Sequence, residues 1–162
     1  MRVGIALGSN LGDRGAGLLA GFGLLKALDS GVIVSGIYES DPVDCPEGSP
    51  PFLNAVAEME FGGDLCELLD RLQGMERKLG RAEVRERNAP RPLDLDILYA
   101  DDLVLREERL ILPHPRMAER TFVLQPLAEI APGRVLPGFD RDVTRLLEDL
   151  LLKGATPCRR IG

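Results

Sequence analysis

The chain has no tryptophan, one histidine, five phenylalanines and two tyrosines among its 162 residues. A core built on large rings is therefore excluded, and aliphatic side chains must fill it. A lone histidine, His114, also rules out a polyhistidine metal cage. Cysteine is scarce: Cys45, Cys66 and Cys158 are odd in number and never form a CxxC pair. That excludes a disulfide scaffold and a zinc ribbon, and Cys66, inside a helical pattern, reads as packing. No apolar run approaches the roughly 20 residues of a membrane span. Met1-Arg2-Val3-Gly4-Ile5-Ala6-Leu7 lacks a small-residue cleavage site and is cut short by Gly8-Ser9-Asn10, so it reads as a first strand rather than a signal segment. A cytoplasmic protein with no membrane partner is expected. Positive charge is also lacking, with a net charge of -6, which argues against a nucleic-acid partner. The GxxxxGK[ST] phosphate loop is missing. Gly15-Ala16-Gly17-Leu18-Leu19-Ala20 formally matches GxGxxA, but it lies within a helical pattern well past the first strand and is discounted as a dinucleotide site.

The length suits a single domain, 1–162, able to bury about two-thirds of its unfolded surface without staples. Strands are expected at 2–8, 32–38, 52–61 and 93–99. Helices are expected over 13–29, over 64–79 with Asp64 as N-cap and Gly80 as stop, over 117–128 and over 142–153. Asp101-Asp102 predicts a turn into Leu103-Val104-Leu105, making a hairpin with the preceding strand. The proline-rich stretch 40–51 and the basic stretch after Gly80 are read as loops, which in small domains often carry function. This order predicts an α+β sandwich, with helices on one face of a mainly antiparallel sheet.

Asp94-Leu95-Asp96 is the central chemical feature. Residues i and i+2 of a strand share a face, so both carboxylates converge while Leu93, Leu95 and Ile97 turn to the core. Such a pair suits Mg²⁺, which takes one or two protein carboxylates and fills its other positions with water and phosphate oxygens. Alternating aspartates can merely solvate a sheet. Here, however, Arg77, Lys78, Arg81, Arg85, Arg87 and Arg91 precede them, and metal plus guanidinium is what a polyphosphate requires. His114, in Pro113-His114-Pro115-Arg116, stands shortly before Arg120, and the two could stabilise charge on a moving phosphoryl group. Phe52 and Asn54 share one strand face, offering a stacking surface beside a paired donor and acceptor, as a flat heterocycle needs.

The run Arg87-Asn88-Ala89-Pro90-Arg91-Pro92-Leu93-Asp94-Leu95-Asp96-Ile97-Leu98 resembles the signature of the 6-hydroxymethyl-7,8-dihydropterin pyrophosphokinase family. The resemblance extends through Ala6-Leu7-Gly8-Ser9-Asn10-Leu11-Gly12-Asp13-Arg14, Tyr38-Glu39-Ser40-Asp41-Pro42-Val43, Phe52-Leu53-Asn54-Ala55-Val56 and Leu112-Pro113-His114-Pro115-Arg116-Met117, in order and spacing. It implies a ferredoxin-like α+β sandwich, mainly antiparallel, with helices packed on its faces. It implies transfer of the terminal diphosphate of ATP, the co-substrate, to the pterin hydroxymethyl group in folate biosynthesis, with release of AMP. Asp94 and Asp96 would bridge two Mg²⁺ ions to the triphosphate. Arg81 and Arg91 would be catalytic phosphate ligands. Gln73, Glu76, Ile97, His114 and Arg120 would complete the nucleotide site. Ser40, Val43 and Asn54 would read the pterin edge, with Phe52 and Phe122 clamping its faces. Closure of the loops 40–51 and 82–90 would exclude water, and a monomer is expected. The chain has Asn88-Ala89 where the family often has an aromatic and a glycine, and Arg81-Ala82-Glu83 where many members have Arg-x-Arg. The phosphate contact thus falls among Arg81, Arg85 and Arg87. Two other readings compete. A nucleotidyltransferase would place its Gly-Ser helix start much nearer the carboxylates. A ligand-binding module without turnover leaves Asp94, Asp96, Phe52 and Asn54 unexplained.

Overall fold

Alternation in the first strand decides the architecture. In β1 (Arg2–Ser9), Val3, Ile5 and Leu7 face one way and are buried, while Gly4, Ala6 and Gly8 face the other. A strand with branched residues on one side and only small ones on the other can lie centrally and still leave room above one face. The computed structural model, which describes residues 1–10, 13–42, 47–80 and 92–162, places it so. β1 pairs antiparallel with β4 (Phe52–Glu60) on one side and β5 (Asp94–Ala100) on the other. β4 also pairs with β2 (Ile33–Val34) and β3 (Tyr38–Ser40), and β3 pairs with β8 (Arg159–Arg160). The order is β5-β1-β4-β3-β8, with β2 on β4, and a separate hairpin joins β6 (Leu105–Arg106) to β7 (Ile111–Leu112). Val43, Arg81, Arg85, Arg87 and Arg91, together with Cys45, lie outside the described residues.

Helices cover both faces, not one. α1 (Arg14–Leu28) starts where the Asp13 side chain accepts from Ala16 N, and α2 (Leu65–Lys78) where that of Asp64 accepts from Cys66 N and Glu67 N. Each cap contributes about 1 kcal/mol. Leu18 and Leu25 of α1 and Leu68 and Leu72 of α2 bury against Val3, Ile5, Leu7, Met59, Leu95 and Ile97. On the opposite face, α3 (Thr121–Ile130) and α4 (Val143–Leu152) set Val123, Leu124, Leu127 and Val143 against Val56 and Leu98. The near-continuous burial of β4 from Leu53 to Met59 is what two covered faces require.

Several elements differ from the sequence reading. The strand expected at 32–38 is broken: Ser35 Oγ accepts from Val56 N, and at Gly36 an added Cβ would stand 2.6 Å from the Gly162 carbonyl. Leu103-Val104-Leu105 does not pair back on β5. Asp101 adopts φ +46°, Leu103 N closes a turn on Ala100 O, and Leu105 pairs with Leu112 instead. The helix expected over 117–128 is interrupted at Arg120, whose backbone is extended between a short 3₁₀ turn (Met117–Glu119) and α3. Strand β8 has no forecast in the sequence.

At the end of the sheet remote from Asp94, the space above Gly4 holds the Tyr99 ring, 2.4 Å from where a Cβ would sit. Tyr99 donates to Glu58, which also takes Arg2 Nε at 2.8 Å and Arg134 Nε at 3.3 Å. Burial pushes the Glu58 carboxyl upward, but the bonds from Tyr99 and Arg2 and the charge of Arg134 outweigh it and hold the group below the usual range.

Candidate active site

The register of three strands builds the site. Gly8 lies opposite Asn54 on β4 and opposite Asp94 on β5; Ala6 lies opposite Val56 and Asp96. Directly opposed residues share a face. Asn54 and both aspartates therefore stand on the face that β1 leaves almost bare, with Asn54 and Asp94 about 9.5 Å apart across two strand spacings. The Asn54 amide is oriented: Nδ2 donates to Ser40 Oγ at 2.7 Å, and Oδ1 overhangs Gly8, 3.6 Å from a Cβ built there. The Phe52 ring flanks the same gap, 3.4 Å from that point.

Glu76 of α2 is 5% exposed, and its Oε1 accepts from Leu95 N at 2.8 Å. The expected nucleotide contact thus holds the strand between the two aspartates. Gln73 is exposed on the same helix, where its Oε1 meets Arg109 at 3.5 Å.

His114 is fixed at the outer edge of β5, its N–H donating to Leu98 O at 2.7 Å. Nδ1 accepts from Arg116 N at 3.2 Å, so the neutral ring carries its proton on Nε2. Burial, then the positive charges of Arg120 and Arg116, push this imidazole down to about 4 against a weaker upward pull from Asp94. At neutral pH it is an uncharged donor. Arg120, held at the break before α3, places its guanidinium 5.4 Å from the centre of the Phe122 ring, within cation–π range. The expected nucleotide and pterin contacts therefore meet at the start of α3.

Two hollows open near the site, and Asp96 lines the first of them. A groove of about 230 Å³ is lined by Leu69, Asp96, Ile97, Arg109, Ile111 and His114, among others. A second cavity, of about 270 Å³, lies between Ser40 and Asp41 on one side and Thr121 and Phe122 on the other. Arg109 was missed by the sequence reading. It sits in Arg106-Glu107-Glu108-Arg109, which looks like a solvated charge run, yet the fold anchors it on Asp70 at 2.5 Å. Gly8 ends the expected first strand and opens the turn after it, but its place between Asn54 and Asp94 needs the strand order.

Among the described residues, no group of three or more His, Cys, Asp or Glu gathers as a metal cage, and no helix is long and apolar enough to cross a membrane. Two carboxylates on one strand face, with Asp96 lining a groove, do fit Mg²⁺, whose remaining ligands are water and phosphate.

A mainly antiparallel sheet with helices on both faces puts the chain in the class of ferredoxin-like α+β sandwiches. Similarity to known proteins makes the class particular. Residues 4–132 match the family described as 7,8-dihydro-6-hydroxymethylpterin-pyrophosphokinase (HPPK). The chain is 47% identical over 129 residues to the 2-amino-4-hydroxy-6-hydroxymethyldihydropteridine pyrophosphokinase of Bacillus subtilis, covering 78% of this chain and 75% of that one. It is 42% identical over 139 residues to the Pseudomonas aeruginosa protein of the same name, covering 84% of each. A crystal structure of Plasmodium falciparum HPPK-DHPS with pteroate superposes with a TM-score of 0.73 at 14% identity, over 94% of this chain and 42% of that one. The chain belongs to the HPPK family and is an enzyme of the pyrophosphokinase kind.

Proposed function

We propose that the protein transfers the β,γ-diphosphate of ATP to the hydroxymethyl oxygen of 6-hydroxymethyl-7,8-dihydropterin, releasing AMP, as a step of folate biosynthesis. One bond forms between that oxygen and Pβ, the bond from Pβ to the oxygen bridging Pα breaks, AMP keeps the bridging oxygen, and the hydroxyl proton passes to solvent. The observation that carries this reading is the row Asn54–Gly8–Asp94. It supports the reading because Asn54, taken as the heterocycle reader, and Asp94, taken as the metal carboxylate, share one face on either side of a residue with no side chain.

The nucleotide takes the groove at the β5 edge, between Leu69, Ile97, Ile111 and the guanidinium of Arg109. His114, an uncharged ring at neutral pH, donates Nε2–H to a phosphate oxygen. Arg120 supplies charge from the side of Phe122. Asp94 and Asp96 would hold Mg²⁺, two ions in the full assembly, which when bound would neutralise the triphosphate and polarise the transferring phosphoryl group. Arg81 and Arg91 are assigned to the phosphates by resemblance alone. The pterin lies between Phe52 and Phe122, with its polar edge read by Asn54 Oδ1 and the Ser40–Val43 segment. Holding both substrates in line supplies much of the rate, since oriented reactants gain several kcal/mol over free encounter. The protein works as a monomer in the cytoplasm.

The test is ³¹P NMR of the protein with ATP, Mg²⁺ and the pterin. AMP and a new diphosphate ester should appear only when pterin is present. Asp94→Asn and Asp96→Asn should each slow transfer about 10³-fold, or ~4 kcal/mol, with melting temperatures held. ADP would mean an ordinary kinase, and free pyrophosphate a nucleotidyltransferase; either would sink the proposal.

A further inference from the structure

Strand β8 is reached through residues 156–158, all beyond the 4–132 span matched by the family. This strap is tied to two elements at once. Toward α3, Thr121 Oγ1 donates to the Thr156 carbonyl at 2.8 Å. Gln125 exchanges a reciprocal pair with Cys158: Nε2 donates to its carbonyl at 2.9 Å, and Oε1 accepts from its N–H at 2.8 Å. One turn further, Glu129 ion-pairs Arg160 at 3.3 Å. Thr121, Gln125 and Glu129 are spaced by four, so they form one polar stripe of the helix, and the whole stripe meets the strap. Toward β3, Arg160 and Arg159 lie opposite Tyr38 and Glu39, and Arg159 ion-pairs Glu39.

The strap forms one side of the second cavity, which is lined by Ser40 and Asp41, Thr121 and Phe122, and Thr156 to Arg159. Phe122 sits in the first turn of α3, whose start is closed on Arg120 O by Val123 N at 3.1 Å and Leu124 N at 3.0 Å. Thr121 and Gln125, on either side of the ring in sequence, add the bonds that tie this helix end to the strap.

We propose that the strap 156–160, locked by Thr121 and Gln125, is a positioning element for the pterin: it fixes the gap between the Phe122 ring and the Ser40–Asn54 edge and walls the pocket between them. The inference rests on the reading of those residues as pterin contacts. It assigns Thr121 and Gln125 to positioning, acting through Phe122 rather than on the reacting atoms.

The test compares Thr121→Val, which keeps shape and loses the hydroxyl, with Thr121→Ser, which keeps the hydroxyl, and adds Gln125→Leu. Steady-state constants for each substrate are measured, with pterin fluorescence titrations in the presence of Mg²⁺ and a non-transferable ATP analogue. Thr121→Val and Gln125→Leu should weaken pterin KM and Kd about tenfold, as the loss of one or two positioned hydrogen bonds predicts. ATP KM and kcat should stay within about twofold, and Thr121→Ser should match the parent. Unchanged pterin constants, ATP and pterin constants rising together, or Thr121→Ser behaving like Thr121→Val would each overturn the proposal. If Gln125→Leu does not fold, the Thr121 pair decides alone. A parent protein that transfers nothing to pterin refutes the functional reading, whereas an active parent with unmoved variants refutes only the strap.

Discussion

Replacing Gly8 by alanine is expected to leave the fold intact and cripple transfer, the reverse of what a buried central strand suggests. A Cβ built at Gly8 would meet the Phe52 ring at 3.4 Å and Asn54 Oδ1 at 3.6 Å, which is ordinary contact. Gly8 is not among the glycines with positive φ, so alanine adopts its backbone without strain. The substitution should even stabilise by about 0.4–1 kcal/mol by restricting the unfolded chain. The methyl group, however, projects about 1.5 Å from the strand into the gap between Asn54 and Asp94, where the proposed transfer brings the hydroxymethyl oxygen to phosphorus. A misplacement of about 1 Å costs up to ~10²-fold in rate, or about 2.7 kcal/mol of barrier. Two other glycines are the controls. At Gly4 a Cβ would collide with the buried Tyr99 ring at 2.4 Å, and at Gly17 with the Pro92 carbonyl at 2.3 Å. Their alanine variants should lose stability, by about 1–3 kcal/mol for the overpacking alone. The assay is AMP release against pterin concentration, with thermal melts on the same samples. Parental kcat/KM in Gly8→Ala, or a melting temperature that falls as far as that of Gly4→Ala, would refute the reasoning.

His114 titrates at about 4 in the native protein because of burial first and Arg120 and Arg116 second, whereas the unfolded chain takes up its proton near ~6.5. Between those values the unfolded state binds more protons, so stability falls as pH drops through the window. Urea titrations stepped across it should show a shallower slope in His114→Gln, and an unchanged slope would count against the assignment. Glu58→Ala should cost about 3 kcal/mol, since it strips Arg2, Arg134 and Tyr99 of a shared partner. Equilibrium unfolding measures the loss, and kinetics of the folded fraction should not move. Arg109→Ala should raise ATP KM about tenfold, as for a lost charged contact, and leave pterin KM alone; a shift in pterin KM would place the groove wrongly.

The local features around the proposed site are more legible in the sequence than its walls. Asp94 and Asp96 announce themselves because a strand repeats every two residues, and Asp64 and Gly80 bracket α2 because a capping carboxylate and a positive-φ glycine (+96°) are local requirements. The break at Arg120 carries no proline or glycine; it depends on His114, Met117 and α3 being placed by the sheet. β8 was invisible for a similar reason. Two arginines make no apolar pattern, and what holds them is Glu39 and Glu129, far away in sequence. The second covered face could have been inferred from β4, where Leu53 through Met59 are buried without interruption. The expected phosphate ligands Arg81 and Arg91, with Val43, fall outside the described residues, so their assignment still rests on the signature run.

The interval between Asn54 and Asp94 is set by two backbone ladders meeting on β1, not by any side chain reaching for another. Such ladders are the last parts of a protein to open on warming, whereas helix ends and edge turns, which carry Phe122, Arg120 and His114, open earlier. Heat should thus loosen the enzyme's hold on its substrates well before it alters the span across which they react.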